Sequence, residues 1–171
     1  MTLPYKISQD KTTGYYLFRT AQGLFYKCVF KYATPRLSPI LGVYDLEIYD
    51  FDFEMFDPTP GKRKKLDERI SATLVELIKS FFSNPNRVLI YICDASDGRH
   101  LERHKLFENW HKDFLSHDLV RLPVDILMED EENTFTTHGC VLIRNDFPHK
   151  DILQEQLIEK AEGILIEKYG E

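Results

Sequence analysis

The stretch that begins at Leu66 and runs to Trp110 constrains the fold more than any other part of the chain. It reads LDERISATLVELIKSFF, then VLIYICD, then ASDG, then the start of RHLERHKLFENWHKDF. Leu66, Ile70, Leu74, Leu77, Ile78, Phe81 and Phe82 recur at helical spacing, which predicts an amphipathic helix with one buried stripe. Asn84-Pro85 ends it, because proline disfavours helical geometry in the residue before it. Val88 to Cys93 is an unbroken apolar run, as expected of an inner strand covered on both faces. A second helix follows the turn at Asp94 to Gly98 and is expected to bury Leu106, Phe107, Trp110 and Phe114. Helix, inner strand and helix in succession point to a mixed α/β domain.

The flanking segments read mostly as strands. Tyr15 to Phe18 and Leu24 to Tyr32 form an expected hairpin around Gly23; the second alternates, with Leu24, Tyr26, Cys28, Phe30 and Tyr32 on one face. Residues 33–42, with two prolines and a glycine, read as a connecting loop. The next strand, Val43 to about Phe53, changes phase midway: Tyr44, Leu46 and Ile48 in one register, Tyr49, Phe51 and Phe53 in the other. Either a β-bulge or burial on both faces at different points would produce this. Of the acidic residues between, Asp45, Glu47, Asp50 and Asp52, most are expected in water. Residues 119–145 read as a second antiparallel pair, with Val120, Leu122, Val124, Ile126 and Met128 alternating in one strand and Phe135, Thr137, Gly139, Val141 and Ile143 in the other. Glu129 to Asn133 form an acidic connection, and Pro123 marks an edge position. A last helix, about His149 to Tyr169, places Leu153, Leu157, Ala161, Ile164 and Leu165 on one side. Residues 1–13 are polar with anchors at Leu3, Tyr5 and Ile7, and read as an ordered edge or a loose arm.

A chain of 171 residues is one ordinary domain, able to bury about two-thirds of its unfolded surface. The 13% aromatic content suits a packed, sheet-containing interior. A net charge of -6 disfavours non-specific nucleic-acid binding, which depends on neutralising phosphates. Cys28, Cys93 and Cys140 lie far apart in apolar runs, without metal-ligand or disulfide spacing, and read as small buried hydrophobes in a reducing compartment. The amino terminus lacks the apolar core of a signal peptide, and no run approaches the roughly 18 apolar residues of a membrane helix. A cytoplasmic location is expected.

Three places could carry chemistry. Gly61, Lys62, Arg63, Lys64 and Lys65, with Arg69 one turn on, open the first helix, whose positive end attracts anions. The basic run suits a phosphate-bearing ligand, but the reading favoured here is a solvated turn balanced by Asp67 and Glu68. The turn Asp94, Ser96, Asp97, Gly98 lies at the carboxyl end of the inner strand, a common ligand position in open α/β sheets. Its acidity repels phosphate, so Asp97 is expected to cap the second helix, with Arg99 or Arg103 pairing locally. His100 and His104 are four apart on a helix, yet no third ligand stands at motif spacing and no metal site is expected. His111, His117, His138 and His149 read as surface residues. No serine or cysteine sits in an activating context, which leaves hydrolase chemistry unsupported.

The order β-β-β-α-β-α-β-β-α, from about Tyr15 to Arg144, resembles the core of the GNAT-type N-acetyltransferases. In that family a turn after the third strand opens a helix whose amides hold the pyrophosphate of acetyl-CoA. The resemblance implies acyl-CoA at Gly61 to Arg69, and Glu47 as a general base acting through water. The chain departs from the family's glycine-rich turn, with Lys64, Lys65 and Leu66 in place of small residues. It also has Phe107 where the family often has a proton-donating tyrosine, so another acid, Tyr91 or water, would be needed. More locally, YYLFRTAQGLFYKCVF, DERISATLVELIKSFF and CDASDGRHLERHKLF resemble a family of small uncharacterised bacterial proteins, which implies a cytoplasmic protein and no mechanism.

The expectation is therefore a single α/β domain, with a mostly antiparallel twisted sheet of about six strands and three main helices. The leading functional reading is a non-catalytic binding or regulatory module that takes a small molecule or a protein partner, in a cleft between the third and fourth strands or on a partner surface. The alternative is an N-acyltransferase using acyl-CoA.

Overall fold

The apolar run around Val88 forms an inner strand, as its composition requires. In the computed structural model the elements are β1 (Ser8–Gln9), β2 (Tyr16–Arg19), β3 (Phe25–Tyr32), β4 (Glu47–Phe56), α1 (Glu68–Phe81), β5 (Arg87–Cys93), α2 (His100–Trp110), a π-helical turn (His111–Leu115), β6 (Leu119–Glu129) and β7 (Thr134–Arg144). Residues 150–156 are helical. The structure describes residues 2–35, 38, 46–93, 98, 100–129 and 134–156, and only the backbone of 100, 124–129 and 134–137. The strands form a mostly antiparallel, seven-stranded sheet of order β1-β2-β3-β4-β5-β7-β6, which places β5 inside and β6 at an edge. The expected order of elements is present, with the two-residue β1 added. The fold is mixed α and β.

Two compact units divide the chain, one of residues 1–31 and 50–83, the other of residues 32–49 and 84–171. In the first, β2 and β3 pair as the expected hairpin, with Arg19 opposite Phe25 and Tyr16 opposite Cys28. Gly23 takes φ +84 in the turn, where a side chain would be strained. Aromatic rings fill this interior: Phe18 stacks on Tyr26 at 4.8 Å, and Phe30 meets Phe51 at 5.0 Å and Phe81 at 4.5 Å. Helix α1 supplies Leu74 and Ile78, both essentially fully buried.

Three expectations about α1 and β4 need correcting. Leu66 is 94% exposed, outside the buried stripe. The helix starts two residues later, because the Asp67 carboxylate accepts the Arg69 N–H and makes Asp67 the N-cap. Among the acidic residues of β4, most of which were expected in water, Asp50 is buried; it and Phe51 are adjacent and both under 5% exposed, which locates the change of phase in β4 between them. The strand begins at Glu47 and extends past Phe53 to Phe56. Residues 34, 35 and 38 are helical within the stretch expected to be a loop. The readings on Val43, Tyr44 and Asp45 lie outside the described residues. The amino-terminal segment is an ordered edge: Ser8 and Gln9 pair with Leu17 and Tyr16, and the Tyr5 N–H donates to Thr73 Oγ1 at 2.7 Å.

In the second unit β5, β7 and β6 lie side by side, with Ile90 opposite Val141 and Leu122 opposite Val141. One face of these strands carries Val88, Ile90, Leu122, Val141 and Ile143, packed with Ala33, Leu46, Ile48, Phe147 and Leu153. The other face carries Leu89, Tyr91, Cys93, Cys140 and Leu142, all buried. Helix α2 contributes Phe107 and Trp110 to that side, so β5 is covered on both faces. Pro123 stands on the edge strand, as expected of a residue with no N–H to give to a ladder.

The apolar face of α2 differs from the one expected. Phe107 and Trp110 are buried, but Leu106 is 38% and Phe114 49% exposed, and Leu115 is buried instead. The cause is the π-helical turn at His111–Leu115. Its wider turn, with bonds spanning five residues, accompanies a buried stripe that passes from Trp110 to Leu115 and leaves Phe114 outward. The turn at Asp94 to Asp97, Arg99, the acidic connection beyond Glu129 and the helix positions Leu157, Ala161, Ile164 and Leu165 lie outside the described residues.

Candidate functional site

The basic turn lies wholly in the first unit, and much of its polar capacity is already used. Gly61, at φ +86, turns the chain after Asp57 to Pro60. Lys64 Nζ sits 3.2 Å from Asp57 Oδ1 and donates to Thr59 Oγ1 at 2.7 Å. Partial desolvation pushes the Asp57 carboxyl up, but the Thr59 N–H and the Lys64 ammonium outweigh it and hold the group below the usual range. The Lys65 backbone is gripped from both sides by Gln22, whose amide accepts from Lys65 N–H at 2.7 Å and donates to Lys65 O at 2.8 Å. Arg69 donates to the carbonyls of Leu3 at 2.9 Å and Pro4 at 3.3 Å, and its guanidinium lies 3.9 Å from the Tyr5 ring centre. At the start of α1 stands the Asp67 carboxylate, which also accepts the Tyr5 hydroxyl at 2.6 Å. Lys62 and Arg63 project into water.

Glu47 and Tyr91 belong to the second unit, so the two groups of residues singled out in the sequence fall in different units. Glu47 is half-exposed and takes the Arg87 Nε at 3.1 Å, with Asn84 Nδ2 at 3.5 Å. Tyr91 is only 2% exposed. Its ring stacks on Phe107 at 4.0 Å with the planes 16° apart.

Around the Tyr91 hydroxyl is a buried polar group of residues that the sequence did not single out. On β6 the register puts Arg121 opposite Leu142 of β7, on the face that carries Tyr91 and Cys140. Arg121 Nε donates to Tyr91 Oη at 3.4 Å, and Nη1 lies 3.7 Å from Glu108 Oε1 of α2. The Arg121 side chain is 12% exposed while Glu108 is 54% exposed, so the ion pair is long and unequally screened. Arg121 Nη2 is buried and has no hydrogen-bond partner among the described residues. Burial drives the Tyr91 phenol far above its ordinary value, with the nearby Cys140 thiol adding to the effect and Arg121 opposing it. Burial likewise pushes Cys140 up to about 12, although Arg121 and the Tyr91 hydrogen bond pull the other way. Both groups are therefore neutral at physiological pH. The arrangement offers one fixed positive charge and no thiolate or phenolate.

The π-helical turn borders this group: His111 Nε2 donates to the Leu119 carbonyl at 2.9 Å, two residues before Arg121. Such turns are uncommon and recur at functional sites. His104 stacks on His138 at 4.4 Å, and no cluster of three or more His, Cys, Asp or Glu among the described residues could hold a metal. Cys28, Cys93 and Cys140 are all free and buried. Among the described residues no helix is long and apolar enough to cross a membrane.

No curated protein and no solved structure matches the chain. The description of a family of unknown function, DUF6169, fits residues 66–156, which hold α1, β5, α2, β6, β7 and every member of the Tyr91 and Arg121 group. That is more than half of the 171 residues, and the chain belongs to this family of unknown function.

Proposed function

We propose that the chain is a non-catalytic, ligand-binding module whose binding face lies beneath α2 in the second unit. The observation that carries this reading is the nearly buried Arg121 guanidinium, whose Nη2 meets no acceptor among the described residues. Burying a charge with incomplete pairing costs stability, so a fold that keeps such a group calls for a reason, and binding is the one we propose. The neighbouring phenol and thiol are held neutral, which suits recognition better than nucleophilic or acid–base chemistry. The three buried free thiols fit a reducing, cytoplasmic setting.

The test is the sign of a stability change. Arg121→Met keeps the length and bulk of the side chain and removes the charge. On this reading the variant unfolds at the same or higher urea concentration, because an isosteric apolar residue relieves an incompletely paired buried charge. A clear loss of stability would mark Arg121 as a structural tie and remove the reading.

The order of elements favours a second reading, an N-acyltransferase holding acyl-CoA at Gly61 to Arg69. Against it, the start of α1 is already occupied by the Asp67 carboxylate, and the Tyr91 phenol is too weak an acid for a thiolate to deprotonate readily. Acetyl-CoA at about 1 mM should leave the melting temperature unchanged on the first reading and raise it on the second, by mass action.

A further inference from the structure

We infer that one end of the sheet in the first unit docks on an anionic lipid bilayer. This surface is separate from the Arg121 face and does not depend on it. β2 ends and β3 begins there, with Arg19 opposite Phe25 and its guanidinium 4.9 Å from the Phe25 ring centre. On the same face of β3, Lys31 reaches Asp52 of β4 at 2.8 Å and Lys27 reaches Glu54 at 3.8 Å, so the two strands run antiparallel. Alternation two residues further along each strand carries Phe25 and Phe56 to one face and one end. Gln22, in the turn between β2 and β3, holds the Lys65 backbone at that end and so brings in Leu66. Phe25, Phe56 and Leu66 are 42%, 65% and 94% exposed.

Four cations stand among these side chains. Arg19, Lys62, Arg63 and Lys65 are exposed, and none makes an ion pair among the described residues. The neighbouring carboxylates are engaged: Asp57 with Lys64, Glu54 with Lys27, and Asp67 with the Tyr5 hydroxyl and the Arg69 N–H. Glu68, in the first turn of α1, opposes the cations with one exposed charge. Physiological salt screens charges beyond about 8 Å, so the net charge of -6 does not cancel a local basic face. Phosphates of any kind answer the cations, but a nucleic-acid backbone gives Leu66 nothing to bury against. A bilayer interface answers both, with anionic headgroups for Lys and Arg and the acyl boundary for Phe and Leu. Such docking uses a protruding tip and needs no cavity.

The experiment is co-sedimentation of the whole chain with vesicles of phosphatidylcholine, alone or with about 30% phosphatidylserine, in about 0.1 M and about 0.5 M salt. The expected result is binding to the phosphatidylserine vesicles only, weakened at the higher salt. Lys62→Gln, Arg63→Gln and Lys65→Gln combined should lower the partition coefficient about a hundredfold, and Leu66→Gln about tenfold with the charge unchanged. All four positions are exposed, and circular dichroism confirms that each variant is folded. No binding to phosphatidylserine vesicles, equal binding to phosphatidylcholine, or undiminished binding by Leu66→Gln would each overturn the inference. A DNA duplex bound as tightly as the vesicles, with affinity lost in the triple variant and kept in Leu66→Gln, would overturn it in favour of a nucleic acid.

Discussion

Arg69 in the first unit and Arg121 in the second each lie against a tyrosine, but their nitrogens meet different surroundings. Arg69 donates to two backbone carbonyls, of Leu3 and Pro4, and covers the Tyr5 ring, fastening the amino-terminal segment to the first turn of α1. Arg121 is more enclosed yet less satisfied, with one long bond to Tyr91, one long ion pair to Glu108 and Nη2 unmatched among the described residues. The cations that stand out in the sequence, around Lys62 to Arg69, are in large part tied into structure or left in water. The cation that stands out physically is a single arginine in an alternating strand. Charge density in a sequence is thus a poor guide to where an unmet interaction lies, because it records nothing about burial.

The largest expected effect tests the cover over Arg121. Phe107→Ala removes the ring stacked on Tyr91 and should cost about 3–5 kcal/mol in urea unfolding. A loss below about 1 kcal/mol would mean that α2 is not pinned by this contact, and Arg121 would lose its special enclosure. A middle-sized effect probes the satisfied region: Asp67→Ala removes the N-cap and the acceptor for Tyr5 and should cost about 1 kcal/mol, read in the same assay. An unchanged stability would show the first unit's polar ties to be idle, and the contrast with Arg121 would collapse.

The smallest effect concerns an exposed pair, a reference for what a fully paired surface arginine does. Asp146 accepts from Arg144 at 2.6 and 2.7 Å, and that pairing holds its carboxyl below the ordinary 3.8. Because the folded value is the lower one, the pair's contribution is present above 3.8 and is lost as pH falls through the folded value. An NMR titration should place the Asp146 midpoint below 3.8 in the native protein and return it upward in Arg144→Gln. A midpoint that does not move would show that bidentate geometry at this surface has no electrostatic consequence.

Much of the fold was legible because periodicity reports burial directly. The unbroken run of β5, the alternation of β3 and the helical spacing of α1 each follow from which faces are dry. What was not legible had specific causes. A two-residue strand such as β1 has no period to detect. The π-helical turn is one extra residue in a helix, and nothing in HKDFL announces it, so regular helical spacing points to Phe114 where Leu115 is the buried residue. Alternation in β4 does not say which of its acidic residues is the dry one, and the burial of Asp50 depends on what packs around the strand.

The site was less legible than the fold, and Arg121 shows why. In Val120-Arg121-Leu122 the alternation assigns the arginine to the opposite face from two apolar neighbours, and an opposite face is ordinarily wet. Here α2 lies over that face at Arg121, so the arginine points inward. Cys140 shares that face with Tyr91, and Phe107 closes over it from α2. The pairing of β5 with β7 and of β7 with β6 is what brings Arg121 to Tyr91, 30 positions away in the sequence.

The most direct test sets the two arginines against each other in one experiment, with Arg69→Met and Arg121→Met unfolded in urea beside the native protein. Arg69→Met should lose about 1–2 kcal/mol, from two hydrogen bonds and a ring contact, while Arg121→Met should be unchanged or more stable. Opposite behaviour at the two positions is the predicted result. If Arg121→Met loses as much as Arg69→Met, Arg121 is one more structural tie, and a ligand is not needed to account for it.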